Sequence, residues 1–205
     1  MPITIALRTL AAVNVFRDTI IDALSSGHAD EALLCSGFFQ ENFKGSTYQA
    51  SNEQMLASAC ATSGIKLTTV GVHNYSWKPS YKDFRDNMLA AGASIKCMYK
   101  PGLRWHAKVF IASRHGNPIL GIIGSSNITR NAFSTTAPFN NECDVFIWPK
   151  SSPLATLAEV LFERLDGLIL VRAPYRRSWN QGLTASQKLA QIQREVLGQD
   201  LQELS

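Results

Sequence analysis

The sequence predicts an α/β domain, a layered mixed β-sheet flanked by helices on both faces. Segments of helical periodicity alternate with short apolar runs rich in β-branched residues, the pattern of strands whose connections are helices. Glycine-marked breaks separate these segments at short intervals. With 205 residues, 45% of them hydrophobic, the chain is long enough for one full core and too short for two ordinary domains.

The elements can be justified in order. Asn14 caps a helix reaching Ser25, with Phe16, Ile20, Ala23 and Leu24 at the spacing of one buried face and Gly27 stopping it. "EALLCSGFF" reads as a buried strand. Ser51 with Gln54 forms a capping-box pattern ahead of the helix "MLASACATSG", and "IKLTTVGV" is the next strand. Ser80 with Asp83 opens a helix carrying Phe84, Met88 and Leu89, which ends near Gly92 before the strand "SIKCMY". Two apolar runs, Val109 to Ala112 and Ile119 to Ile123, flank the turn-like stretch Arg114 to Pro118 and predict a pair of strands joined by a tight turn. A short helix over 127–132, an exposed loop "STTAPFNN" and the strand "ECDVFIW" follow. Pro153 begins a helix to about Leu165, "LIL" is a last short strand, and "APYRRSWNQG" is a polar linker. Thr184 with Gln187 caps a final amphipathic helix bearing Leu189, Ile192, Val196 and Leu197. The expected organisation is a domain over 1–172, then a linker and C-terminal helix over 173–205.

Bulk properties narrow the function classes. A net charge of +4 mildly favours a polyanionic partner. Cys35, Cys60, Cys97 and Cys143 lie far apart and form no C-x-x-C pair, which argues against a zinc ribbon and for reduced, buried thiols. No stretch approaches the roughly 20 apolar residues of a membrane-spanning helix. The N-terminal run is interrupted by Arg8 and followed by Asp18, a poor secretory signal. The expectation is a soluble cytoplasmic protein without stable membrane association. No H-x-x-x-H or carboxylate cluster suggests a metal site, so neither metal nor cofactor is expected.

The chemistry concentrates in "LRWHAKVFIASRHGNPILGIIGSSNITRNAF". In an extended strand His106 and Lys108 share one face, with Ala107, Val109 and Ile111 on the other, so an imidazole and an ammonium point together toward an anion. His106-Ala107-Lys108, then Gly124-Ser125-Ser126-Asn127 at the next strand exit, then Glu142 on a later strand, resembles the phospholipase D superfamily. Its signature is H-x-K followed by G-S-x-N and a downstream acid. The resemblance is to the single-motif branch, which includes small bacterial nucleases and restriction enzymes that cut without metal, and it implies a phospholipase D-like catalytic domain.

A phosphodiester reaction needs a nucleophile, a proton for the departing oxygen, and positive charge at the nonbridging oxygens. His106 is the nucleophile candidate, Lys108 the point charge, Asn127 an amide donor and Ser125 a hydroxyl. If the turn opens a helix, backbone N–H groups add to the anion site. The second ring nitrogen of His106 needs an acceptor. The resemblance points to Glu142, while Asp144, on the same strand face, competes for that role. The superfamily commonly has an aspartate five residues after the lysine, where this chain has Ser113. Arg104, Arg114 and Arg130, with Trp105 and Ser126, are candidates for tracking phosphates, against the alternative of solvated surface. His28, His73 and His115 read as ordinary surface, strand-end and loop histidines, and Arg176 and Arg177 as part of a solubilising linker.

Only one H-x-K is present, and the two-step reaction needs a second histidine as acid. A twofold homodimer sharing one site supplies it. The expected substrate is nucleic acid, DNA before RNA. The alternatives are a phospholipase or cardiolipin-type hydrolase, and a degenerate nucleic-acid-binding module.

Overall fold

The computed structural model describes residues 2–39, 42–43, 46–47, 50–73, 75–102, 105–163 and 169–205. It leaves undescribed the side chains of 2, 42–43, 46–47, 50–54, 72–73, 75 and 130. The elements run β1 (Pro2–Arg8), α1 (Val15–Ser25), β2 (Glu31–Ser36), a small hairpin of β3 (Asn42–Phe43) and β4 (Ser46–Thr47), α2 (Ala50–Ser63), β5 (Lys66–His73), α3 (Lys78–Ala90) and β6 (Ser94–Pro101). They continue through β7 (Lys108–Arg114), β8 (Asn117–Gly124), α4 (Arg130–Phe133), β9 (Glu142–Ile147), α5 (Ala155–Glu163), β10 (Ile169–Pro174), α6 (Ala185–Leu197) and β11 (Gln202–Glu203).

Nine strands form one mixed sheet in the order β10-β1-β9-β8-β7-β2-β5-β6-β11. β2, β5 and β6 are parallel, because α2 and α3 return the chain between them; the other pairs are antiparallel. β7 and β8 meet through the two-residue turn His115-Gly116, with φ of 51° and 74°. Two successive left-handed residues match the twist of a hairpin, and glycine takes the second place without strain.

One sheet face carries Leu34, Leu67, Phe110, Leu120, Ile122 and Phe146 against Ile20 and Leu24 of α1, Leu56 of α2, Phe84 of α3 and Phe162 of α5. The other carries Leu33, Cys35, Val70, Val109 and Ile111 against Leu189 and Val196 of α6. Helices therefore cover both faces, as expected for a phospholipase D-like layered mixed sheet. Each fully buried side chain of this kind contributes about 1.5–3 kcal/mol. The segment after residue 172 packs onto the sheet, since α6 lies on the second face and β11 adds an edge strand to β6.

Asn14 caps α1 by accepting from Arg17 N at 3.0 Å, and Thr184 and Gln187 form the reciprocal capping box of α6. Several boundaries differ from expectation. Ser51 lies inside α2, which already begins at Ala50, and the side chains of the expected 51–54 capping box are outside the described residues. α3 begins at Lys78 rather than at Ser80, because Pro79 is well tolerated in a first turn whose N–H groups lack helical partners. The helix expected over 127–132 is the four-residue α4, and the end of α5 near Leu165 lies outside the described residues. β10 continues to Pro174, into the stretch read as linker, and the linker also holds a 3₁₀ turn, Arg177–Asn180. Strands β1 and β11 lie outside the elements that the sequence predicts. β1 has the alternation of a half-buried strand, with Ile3, Ile5 and Leu7 on one face and Thr4, Ala6 and Arg8 on the other. Cys35, Cys60 and Cys97 are buried free thiols and Cys143 is exposed; burial pushes the Cys35 and Cys60 thiols up to about 12. Among the described residues no helix is long and apolar enough to cross a membrane.

Candidate active site

At one end of the sheet, β2, β8 and β1 finish where β7 and β9 begin. Registry aligns Lys108 with Gly124, Gly124 with Asp144, and Arg8 with Glu142, so strand alternation turns Lys108, Asp144, Glu142 and Arg8 toward the same face. Lys108 opens β7, half-buried, with its ammonium near enough to Cys35 to oppose slightly the upward shift of that thiol. His106 precedes the strand instead of lying in it, and it is exposed.

Gly124 sits between Lys108 and Asp144 with no side chain of its own. A Cβ there would collide with the Asp144 carboxylate and stand 2.6 Å from Cys143 O and 2.7 Å from Asp144 Cα. The space is used by Asp144, which reaches beneath β8 to accept from Ser126 Oγ at 2.6 Å and from Ser126 N at 3.3 Å. Burial pushes the Asp144 carboxyl up to about 6, with Glu142 adding to the rise and the Ser126 hydrogen bonds opposing it. Glu142 accepts from the Ser125 hydroxyl and, at 3.1 Å, from Asn140 Nδ2; Ser125 Oγ in turn accepts from Cys143 N at 3.0 Å. Each serine of the turn is thus tied to a carboxylate of β9.

Asn127 is oriented from the other side. Its Oδ1 accepts from Phe38 N at 3.2 Å and lies 3.3 Å from Ser36 Oγ, while Ser36 Oγ accepts from Ile128 N at 3.1 Å. Because Phe38 N is a donor, the atom facing it must be the amide oxygen, and the NH₂ group is left to donate elsewhere.

Several candidates are placed differently from expectation. Ser125 gives its proton to Glu142, and Ser126 is buried, so both hydroxyls serve the turn before they serve a ligand. The turn after β8 does not open a helix at Asn127, because α4 starts only at Arg130; the helical amides expected at the anion site are absent there. Arg114 lies at the far end of β7, roughly 20 Å from Lys108 at about 3.3 Å per residue, because a strand carries sequence neighbours apart. Ser113, where the superfamily has its aspartate, is buried at that same far end, and its backbone O accepts from Asp30 N at 3.0 Å. Trp105 packs toward the cluster under α6, with its indole N–H buried and without a partner among the described residues. Arg104 and the Arg130 side chain lie outside the described residues. Among the described residues no hydrogen bond joins Glu142 or Asp144 to the His106 imidazole, and no three His, Cys, Asp or Glu side chains gather as metal ligands would.

Residues 17–145 match the model of the NgoFVII restriction endonuclease N-terminal PLD domain. The chain belongs to this family. The match spans the H-x-K and G-S-x-N segments and reaches into β9, and it agrees with the phospholipase D resemblance drawn from those motifs. No curated protein matches the chain. Similar solved structures include a polyphosphate kinase from Porphyromonas gingivalis (17% identity, TM-score 0.41, 74% of this chain and 25% of that one). Another is a phosphatidylserine synthase from Haemophilus influenzae Rd KW20 (9% identity, TM-score 0.48, 96% of this chain and 45% of that one). The chain spans less than half the length of either.

Two residues the motifs do not include also position the site. Arg8 is 4% exposed and spends its guanidinium on backbone carbonyls, at 2.8 Å from Ala11 O, 2.9 Å from Ala132 O and 2.6 Å from Ser134 O. Burial lowers its pKa, and Glu142, opposite it in register, partly offsets that shift. Ser36 anchors Asn127. A charged residue closing an alternating apolar run was the available signal for Arg8; for Ser36 the sequence holds none, since Asn127 and Ile128, which it meets at the site, are 91 and 92 residues away.

Proposed function

We propose that this chain is a metal-independent phosphodiesterase, a nuclease hydrolysing DNA with RNA as the second substrate, acting through a phosphohistidine at a site shared by two copies. The observation that supports the reading is that Lys108 and the Gly124–Asn127 turn stand at one sheet end, with exposed His106 two residues before Lys108, in a chain of a restriction-endonuclease PLD family.

In this reading the neutral His106 imidazole attacks phosphorus. A P–N bond forms as the P–O bond to the leaving group breaks, and the protonated His106 of the second copy gives its proton to the departing oxygen. That second imidazole then takes a proton from water, whose oxygen attacks phosphorus and breaks the P–N bond. Lys108 and the Asn127 NH₂ hold the nonbridging oxygens, where charge increases in the transition state. Glu142 and Asp144 act through the turn, holding Ser125 and Ser126, and their charge favours the imidazolium that forms on attack.

The test is cleavage of a labelled oligonucleotide in excess chelator by wild type, by His106→Ala, and by a purified, differently tagged heterodimer of the two. Wild type should cut, and His106→Ala should not. The heterodimer should approach zero turnover, since it always lacks either nucleophile or acid. Strict dependence on added magnesium ends the metal-independent mechanism. Half activity in the heterodimer, or a fully active monomer at sedimentation equilibrium, ends the shared site.

A further inference from the structure

A cavity lined by two lysines lies at the start of α3 and plays no part in the chemistry above. Lys78 and Lys82, one turn apart on α3, line it together with Ser76 and Pro79, and it encloses about 360 Å³. Lys78 Nζ stands 5.3 Å over the Tyr99 ring, and among the described residues no carboxylate pairs with Lys78 or Lys82. A chain of contacts joins the cavity to the reacting end of the sheet. Asn127 Oδ1 accepts from Phe38 N at 3.2 Å, the Phe38 ring meets the Trp77 ring edge-on with centroids 4.8 Å apart, and Trp77 immediately precedes Lys78.

On the β9 side Glu142 and Asp144 are buried, with Arg8 opposite Glu142 in register, while α3 turns Lys78 and Lys82 to the cavity and carries Asp83, Arg85 and Asp86 further along. A chain of phosphates held at Lys108 is therefore drawn toward the two cavity lysines. We propose that the nucleic-acid strand leaves the scissile phosphate across Phe38 and Trp77 and seats a neighbouring phosphate in the Lys78–Lys82 cavity, the aromatic pair forming the apolar floor beneath the intervening nucleotide. This rests on the nuclease reading, and it assigns the substrate path that reading leaves open. It also makes the site prefer a polymer to a small diester, because the second phosphate adds a contact that a lone diester lacks.

The test uses the full chain in excess chelator. Binding of a fluorescent single-stranded oligonucleotide is measured between 50 and 200 mM salt for wild type, Lys78→Gln, Lys82→Gln and the double variant. Cleavage is measured on the same oligonucleotide and on bis(4-nitrophenyl) phosphate. The double variant, which loses the one phosphate held in the cavity, should make the slope of log K against log salt shallower by about 0.7, and each single variant by less. The double variant should lose roughly tenfold or more in kcat/KM on the oligonucleotide relative to its loss on the small diester. An unchanged salt slope, or equal losses on the two substrates, overturns the path and leaves the nuclease reading standing. A wild-type chain that hydrolyses the small diester while neither binding nor cutting the oligonucleotide overturns both.

Discussion

Gly124→Ala tests whether the site turn depends on empty space between β8 and β9. The added methyl would collide with the Asp144 carboxylate and stand 2.6 Å from Cys143 O and 2.7 Å from Asp144 Cα, well inside van der Waals contact. Two of these three neighbours are backbone atoms of a paired strand, so relief requires moving β9 rather than turning a side chain. Overpacking of this kind costs about 1–3 kcal/mol. For a chain of this size each kcal/mol shifts the melting temperature by about 2–4 °C, so a fall of roughly 2–12 °C is expected. The Asp144–Ser126 hydrogen bonds are what the methyl displaces, and a displacement near 1 Å at Asn127 corresponds to a loss of about 100-fold in the chemical step. Thermal melts and single-turnover cleavage of the same preparation read both effects. A Gly124→Ala/Asp144→Ala double variant should be less unstable than the sum of the singles, because one collision disappears with the carboxylate. A melting temperature within 1 °C of wild type together with a rate within twofold would refute the close-approach argument.

Other expectations follow from the same residues. Asp144 has a native pKa of about 6 against an ordinary 3.8, so the unfolded chain ionises first as pH rises, and stability falls between about pH 4 and 6. Relative to Asp144→Asn, wild type should lose about 3 kcal/mol across that window, at roughly 1.36 kcal/mol per pH unit, and stay level above it; a difference independent of pH in denaturant titrations would contradict this. Glu142→Gln removes the charge facing buried Arg8 and half of the Ser125 lock, so single-turnover cleavage should slow by about tenfold or more while oligonucleotide affinity stays within a few-fold. A large rate loss confined to Asp144→Asn would move the main charge role to Asp144.

Much of the architecture was legible because it is encoded locally. Asn14 and Thr184 cap the helices they precede in the chain, and the turn at His115-Gly116 lies between two apolar runs that name their own strands. The same holds for α6, where Leu189 and Val196 repeat at helical spacing. β1 is a short alternating run at the N-terminus, and only its pairing with β9 and β10 distinguishes it as a strand. For α3, serine and aspartate at capping spacing point to Ser80, whereas Pro79, whose restricted φ and missing N–H suit a first turn, goes with the earlier start at Lys78.

The order His106, Lys108, Gly124 to Asn127, Glu142 carried the resemblance to the family, and the residue types themselves suit a phosphodiester reaction. Which groups touch was decided only by the tertiary structure. Sheet order brings β2, β8 and β9 to one end, so Ser36 and Phe38 orient an amide about 90 residues later, and Asp144 crosses under Gly124 to reach Ser126. Sequence adjacency misled in the opposite sense for Arg114 and Ser113, which the extended strand carries to the far end from Lys108. The physical reason is range. Capping, turn geometry and side-chain alternation act within a few residues, whereas the hydrogen bonds that set the site span 17 to 92 residues and exist only once the strands have found their neighbours.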